Sequence, residues 1–187
     1  MSQGLTPSQT IGPFYFGTII KAYHHDMAPP GVTGERINVV LTLHDVEGAI
    51  VPDGLLELWQ ANSHGRYNHP QDRRNLPLDA SFDGFGRAST DTKGSAHFST
   101  VKPGRVPWPE GGMQAPHINI SVFARGLLNR LATRMYFDGD PANAEDPVLK
   151  SIDAARRSTL IAKRDGRGVW RLPIHLGGAK ETVFFDC

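Results

Sequence analysis

Residues 113–124 read MQAPHINISVFA, and His117 opens their apolar run. Period two along a strand puts His117, Asn119 and Ser121 on one face and Ile118, Ile120 and Val122 on the other. The second set makes a core face. His117 and Asn119 therefore point together, away from the apolar side or into a polar pocket. Two histidines at this spacing would form a strong metal pair. One histidine and one asparagine do not, because a neutral amide is a poor transition-metal ligand beside imidazole. On residue type alone, a hydrogen-bonded histidine at a strand start outweighs a ligand.

Three other stretches carry groups with chemical potential. WQANSHGRYNHP (59–70) presents Tyr67 between His64 and His69. Tyr67 reads either as a packing residue with a solvated hydroxyl or as a phenolate ligand for a hard ferric ion. KPGRVPW (102–108) is a rigid loop with Val106 at its centre, and valine offers nothing to a metal or a proton. LATRMYFDGD (131–140) sets Arg134 inside an apolar strand. Its ordinary role would be an ion pair with Asp138 or Asp140, since structural pairs outnumber binding arginines.

The elements that must position these residues are mostly strands. Asn38–Asp45, Leu55–Ala61, Gly94–Val101, His117–Ala124, Leu131–Asp138, Gly168–Leu176 and Glu181–Asp186 read as strands bounded by turn residues. Asn62–Gly86 is polar and without period, a loop long enough to suggest function. Lys102–Pro116 holds too many prolines and glycines for regular structure. Asp146–Arg164 is the one helical region, acidic at its start and basic at its end. The expected fold is mainly β: a β-sandwich with long loops and one short helical region. The whole chain, 1–187, is expected to be one domain, with residues 1–20 as an extended N-terminal arm.

The 187 residues suffice for a real core. Lys+Arg 20 against Asp+Glu 19 gives a formal charge of +1, which leaves no electrostatic case for nucleic acid or an anionic membrane. The N-terminus lacks a charged-then-apolar signal layout, so the cytoplasm is the expected location. The only cysteine is Cys187, which excludes an intrachain disulfide and reads as an exposed terminal thiol.

In this order, GRY after WQAN, a proline-tryptophan loop and a PHI strand start resemble the intradiol ring-cleavage dioxygenases, over about Leu5 to the C-terminus. The resemblance implies a ferric site of two tyrosines and two histidines. Those positions fall on Tyr67, Val106, His117 and Asn119, so two are kept and two are lost. These four are then vestigial ligand positions, and the chain alone is expected to hold no metal and no complete catalytic set. TPSQTIGPF, APHINISVFARG, TRMYFD and ETVFFD narrow the resemblance to non-catalytic α subunits of heteromeric members of that family. It implies a homologous β subunit that carries Fe(III), in a large hetero-oligomer of α–β pairs. The implied substrate is protocatechuate (3,4-dihydroxybenzoate), opened with dioxygen to 3-carboxy-cis,cis-muconate in the β-ketoadipate pathway of aromatic catabolism. By the same resemblance Arg134 would reach toward the partner's substrate pocket. Thr10, Gly12 and Pro13 would form part of the pocket wall, and Tyr15 would pack at the interface. Two other functions remain open. One is a self-sufficient metalloenzyme that recruits His64 or His69; the other is a non-enzymatic β-sandwich binding module, an analogy from fold alone.

Overall fold

A computed structural model describes residues 24–186. Thr10, Gly12, Pro13, Tyr15, the whole of residues 1–20 and Cys187 lie outside that range. The strands are β1 (Arg36–His44), β2 (Leu55–Trp59), β3 (Phe85–Ser89), β4 (Ser95–Val101), β5 (Val106–Pro107), β6 (Met113–Gln114), β7 (His117–Phe123), β8 (Leu131–Phe137), β9 (Ile161–Arg164) and β10 (Trp170–His175). One α-helix, α1 (Pro147–Ser151), lies between β8 and β9.

Eight strands form one sheet in the order β3-β2-β7-β8-β9-β10-β1-β4, and β5 pairs with β6 as a separate ribbon. Short β9 is the seam. Its first residues run parallel to β8, and its last run antiparallel to β10. The far edges are tied by residues 24–27. His24 exchanges backbone hydrogen bonds with Arg87 of β3, and Met27 donates to Ser99 of β4. Gly86 makes room for this strap, since a Cβ there would meet the Met27 sulfur at 2.5 Å. The sheet thus folds back on itself around one core. Leu58, Ile118, Ile120 and Met135 of one half share a buried cluster with Val39, Leu41, Leu172 and Ile174 of the other. Burial of that apolar area is the main favourable term in folding. This is the mainly β, sandwich-like architecture expected from the strand pattern. No helix among the described residues is long and apolar enough to cross a membrane.

The structure corrects four local expectations. Of Asp146–Arg164, only Pro147–Ser151 is α-helical. Ile152 turns the backbone extended, a 3-10 turn follows at Arg157–Leu160, and the rest is β9. Continued helix would leave β8 and β10 with unpaired edges, so sheet pairing overrides local helix propensity. β3 begins inside the expected loop, at Phe85; its Gly86 and Ala88 are weak strand formers. Lys102–Pro116 is not wholly irregular, because Val106–Pro107 pairs with Met113–Gln114. Residues 181–186 form no strand and make a single bridge, Phe185 with Ala132.

Asp146 anchors the short helix to the sheet. It is fully buried and caps α1 by accepting from the Leu149 amide at 2.8 Å. It also accepts from the Ala115 amide at 2.6 Å and the Tyr136 hydroxyl at 3.3 Å. Asp146→Ala removes the cap and strands two buried donors, which should cost about 3 kcal/mol in all. Urea unfolding checks this; a loss under about 1 kcal/mol would mean that these donors find other acceptors.

Candidate functional site

Three elements converge on an open cleft. The loop after β2 brings Tyr67, the β5–β6 ribbon brings Val106 and Gln114, and the polar face of β7–β8 brings His117 and Arg134, while Asn119 lines an adjoining pocket that shares Trp59, Trp108 and Arg134 with it.

Local hydrogen bonds shape the loop. The Asn62 side chain accepts from the amides of His64 at 3.0 Å and Arg66 at 2.9 Å. Tyr67 donates its amide to Asp72 at 2.8 Å, and Arg74 holds the same carboxylate through Nε at 2.8 Å and Nη2 at 2.5 Å. That guanidinium holds the Asp72 carboxyl well below the usual carboxylate range. The Tyr67 ring stacks on Trp59, with centroids 5.8 Å apart and planes 13° from parallel. Gly65 has φ +77°, and a Cβ there would lie 2.0 Å from the Arg105 carbonyl. Only glycine lets the Tyr67 loop press this closely on the Val106 loop.

Across β7 and β8, His117 stands opposite Tyr136 and Asn119 opposite Arg134. His117 is buried and its Nδ1 lies 2.8 Å from the Ala115 carbonyl. Nδ1–H therefore donates there, and Nε2 is left as an acceptor. Burial, then the charge of Arg134, pushes the His117 pKa down to about 4. Burial pushes the Tyr67 hydroxyl up from its ordinary value, against the opposing effects of the Asn119 side chain and Arg134. The Tyr136 hydroxyl is also raised by burial. Asn119 donates Nδ2 to the Trp59 carbonyl at 3.3 Å.

Arg134 donates Nη1 to Gln114 Oε1 at 2.7 Å and to the Tyr136 hydroxyl at 3.3 Å. Its guanidinium lies 5.7 Å from the Phe185 ring centroid. The ion pair expected with Asp138 or Asp140 does not form: Asp140 pairs with Lys102 at 2.8 Å instead. Among the described residues Arg134 has only neutral direct partners.

The donor set does not fit a ferric ion. Of the four positions that the resemblance marks, Tyr67 offers a protonated hydroxyl and His117 one free nitrogen. Val106 presents carbon, Asn119 a neutral amide, and the Arg134 charge would repel a cation. No group of three His, Cys, Asp or Glu side chains close enough to hold a metal occurs among the described residues. His69 sits edge-on to Trp59 with centroids 6.4 Å apart, and His64 is exposed. Sequence reasoning missed Gln114, Tyr136 and Asp146 as parts of the site. The acidic helix start marked Asp146, but only as a charge that suits the helix dipole; nothing local marked Gln114 or Tyr136.

A family model described as "Dioxygenase" matches residues 13–169. The protocatechuate 3,4-dioxygenase alpha chain of Pseudomonas putida is 44% identical, over 97% of this chain and 96% of its own. The protocatechuate 3,4-dioxygenase beta chain of Burkholderia cepacia is 39% identical, over 81% of this chain and 67% of its own. In fold, the dioxygenase domain of a carbohydrate-binding fusion protein from Streptomyces sp. SirexAA-E superposes with a TM-score of 0.61. It is 23% identical over 94% of this chain and 100% of that one.

The His117 environment has a pH signature. With a folded pKa of about 4 against an ordinary 6.5, the imidazole is neutral in both states at higher pH and contributes no pH dependence there. Below the unfolded value the unfolded chain takes up a proton that the folded chain refuses. Stability should therefore fall between those two pH values by roughly 3 kcal/mol, then level off. In His117→Gln this component vanishes, so the gap between wild type and variant should narrow as pH falls. A constant gap in unfolding free energy would rule out a neutral, buried imidazole.

Proposed function

The chain belongs to the dioxygenase family that its residues 13–169 match, and from that premise we propose that it is the α subunit of a ferric intradiol dioxygenase acting on protocatechuate. One observation carries this reading: the cleft gathers Tyr67, His117 and Val106 around Arg134, which stands opposite Asn119 and has only neutral direct partners among the described residues. The family is iron-dependent. In this reading the Fe(III) resides in a homologous β subunit, and this chain carries no metal and no catalytic residue of its own. Similarity to an alpha chain along nearly the whole length, and to a beta chain over much of it, supports a partner of the same fold. The assembly is a large hetero-oligomer of α–β pairs in the cytoplasm.

The reaction adds both atoms of dioxygen to protocatechuate and opens the ring between its two hydroxyls, giving 3-carboxy-cis,cis-muconate. This chain's share is recognition. The substrate carboxylate loses water on entering the pocket and needs a charged donor in return. Arg134 supplies that charge. The family resemblance adds Thr10, Gly12 and Pro13, outside the described residues, as substrate-binding positions. A chain that worked alone, with His64 or His69 completing a metal site, would have to overcome the charge of Arg134 in the same cleft.

Iron content and protocatechuate turnover test the reading directly. The chain purified alone should be colourless and inactive, and co-expression with the β partner should bring both iron and activity. Stoichiometric iron and ring cleavage in the isolated chain would instead support the self-sufficient enzyme. In the complex, Arg134→Ala should raise KM for protocatechuate roughly 10- to 100-fold, as expected for the loss of a charge-assisted hydrogen bond, with iron content unchanged. An unchanged KM would remove Arg134 from the substrate site.

A further inference from the structure

We infer that Gln114 is a positioning residue: it aims the Arg134 guanidinium while leaving its charge free for the substrate carboxylate. This rests on the role proposed above for Arg134 and adds a residue that acts through it.

The geometry is specific. Gln114 is buried in β6, and both polar atoms of its amide are engaged. Its Nε2 donates to the Pro107 carbonyl at 3.0 Å, which leaves Oε1 turned to Arg134 Nη1 at 2.7 Å. An amide oxygen orients a guanidinium without neutralising it. A carboxylate here would form a charge-assisted pair and occupy the same donors. The nearest carboxylate in the network is Asp146, and it is kept one hydroxyl away. Tyr136 accepts from Arg134 and donates to Asp146. Asp146 is in turn satisfied by the Ala115 and Leu149 amides. Arg134 therefore has a fixed direction and no direct counter-ion among the described residues. Its side chain lines the cleft together with Tyr67 and His117.

The test uses the α–β holoenzyme with Gln114→Glu, a near-isosteric change that adds a carboxylate against Arg134. Anaerobic titration measures Kd for protocatechuate and for catechol, which has the same hydroxyls and no carboxylate. Steady-state kinetics supply KM and kcat. Kd and KM for protocatechuate should rise roughly tenfold or more, the scale of one charge-assisted contact, with kcat nearly unchanged. Kd for catechol should change less than about twofold, because it makes no contact with the guanidinium. If Q114E does not assemble, Gln114→Met keeps the volume and neutrality but removes the aim. It should raise KM for protocatechuate severalfold and spare catechol. Equal losses for both ligands would assign Gln114 a structural role only and overturn the inference. Arg134→Ala separates the two layers. A raised KM in R134A with an unchanged KM in both Gln114 variants overturns the role of Gln114 alone. Unchanged values in R134A as well overturn the substrate role of Arg134 beneath it.

Discussion

Strand β7 meets β8 in one register, with His117 opposite Tyr136 and Asn119 opposite Arg134. The cleft depends on that register more than on any single contact. Because side chains alternate faces, a slip of one residue in β7 would carry Ile118 and Ile120 into the cleft, and the same slip in β8 would drive Arg134 toward the core. Burial holds the register in place. Ile118, Ile120 and Val122 are almost wholly removed from water, as is Met135 on the partner strand. The apolar face thus determines where the polar face points.

On that polar face a balance of charge and hydrogen bonding sets the chemistry. Asp146 is ionisable and buried, yet it collects backbone amides and a tyrosine hydroxyl and so stays satisfied without a direct cation. Among the described residues, Arg134 meets an amide oxygen, a hydroxyl and an aromatic ring but no direct anion. The two charges sit on either side of Tyr136. This arrangement suits a cleft that receives an anionic ligand and resists a metal cation. Val106 and Asn119 offer neither phenolate nor imidazole, and the guanidinium beside them adds repulsion toward a cation.

The loops show how distant segments are brought to the same place. Tyr67 and Val106 are far apart in sequence, and their loops touch because Gly65 can adopt a positive φ with no Cβ in the way. The Trp59 ring then backs Tyr67, and the β5–β6 ribbon holds Val106 opposite Gln114. None of these contacts follows from strand periodicity. They are set by close backbone approach between segments far apart in sequence.

The residue pattern alone determined most of the strand content and the two faces of β7, while the four ligand-like positions came from the family resemblance. Alternation and residue type are local properties, legible without a fold. It also marked Arg134 as a charge in an apolar strand, but named Asp138 or Asp140 as its partner. Tertiary structure decided otherwise: Asp140 pairs with Lys102, while Gln114, twenty residues away, meets Arg134. The extent of α1 and the strand identity of β9 were decided in the same way. Helix propensity over residues 146–164 is real, but the open edges of β8 and β10 impose a stronger demand, because unpaired backbone groups at a sheet seam cost more than a helix turn returns. Local chemistry was legible in the sequence because it depends on neighbours in the chain. The partners of Arg134, Asp146 and His117 were not, because they depend on which surfaces the closed sheet brings together.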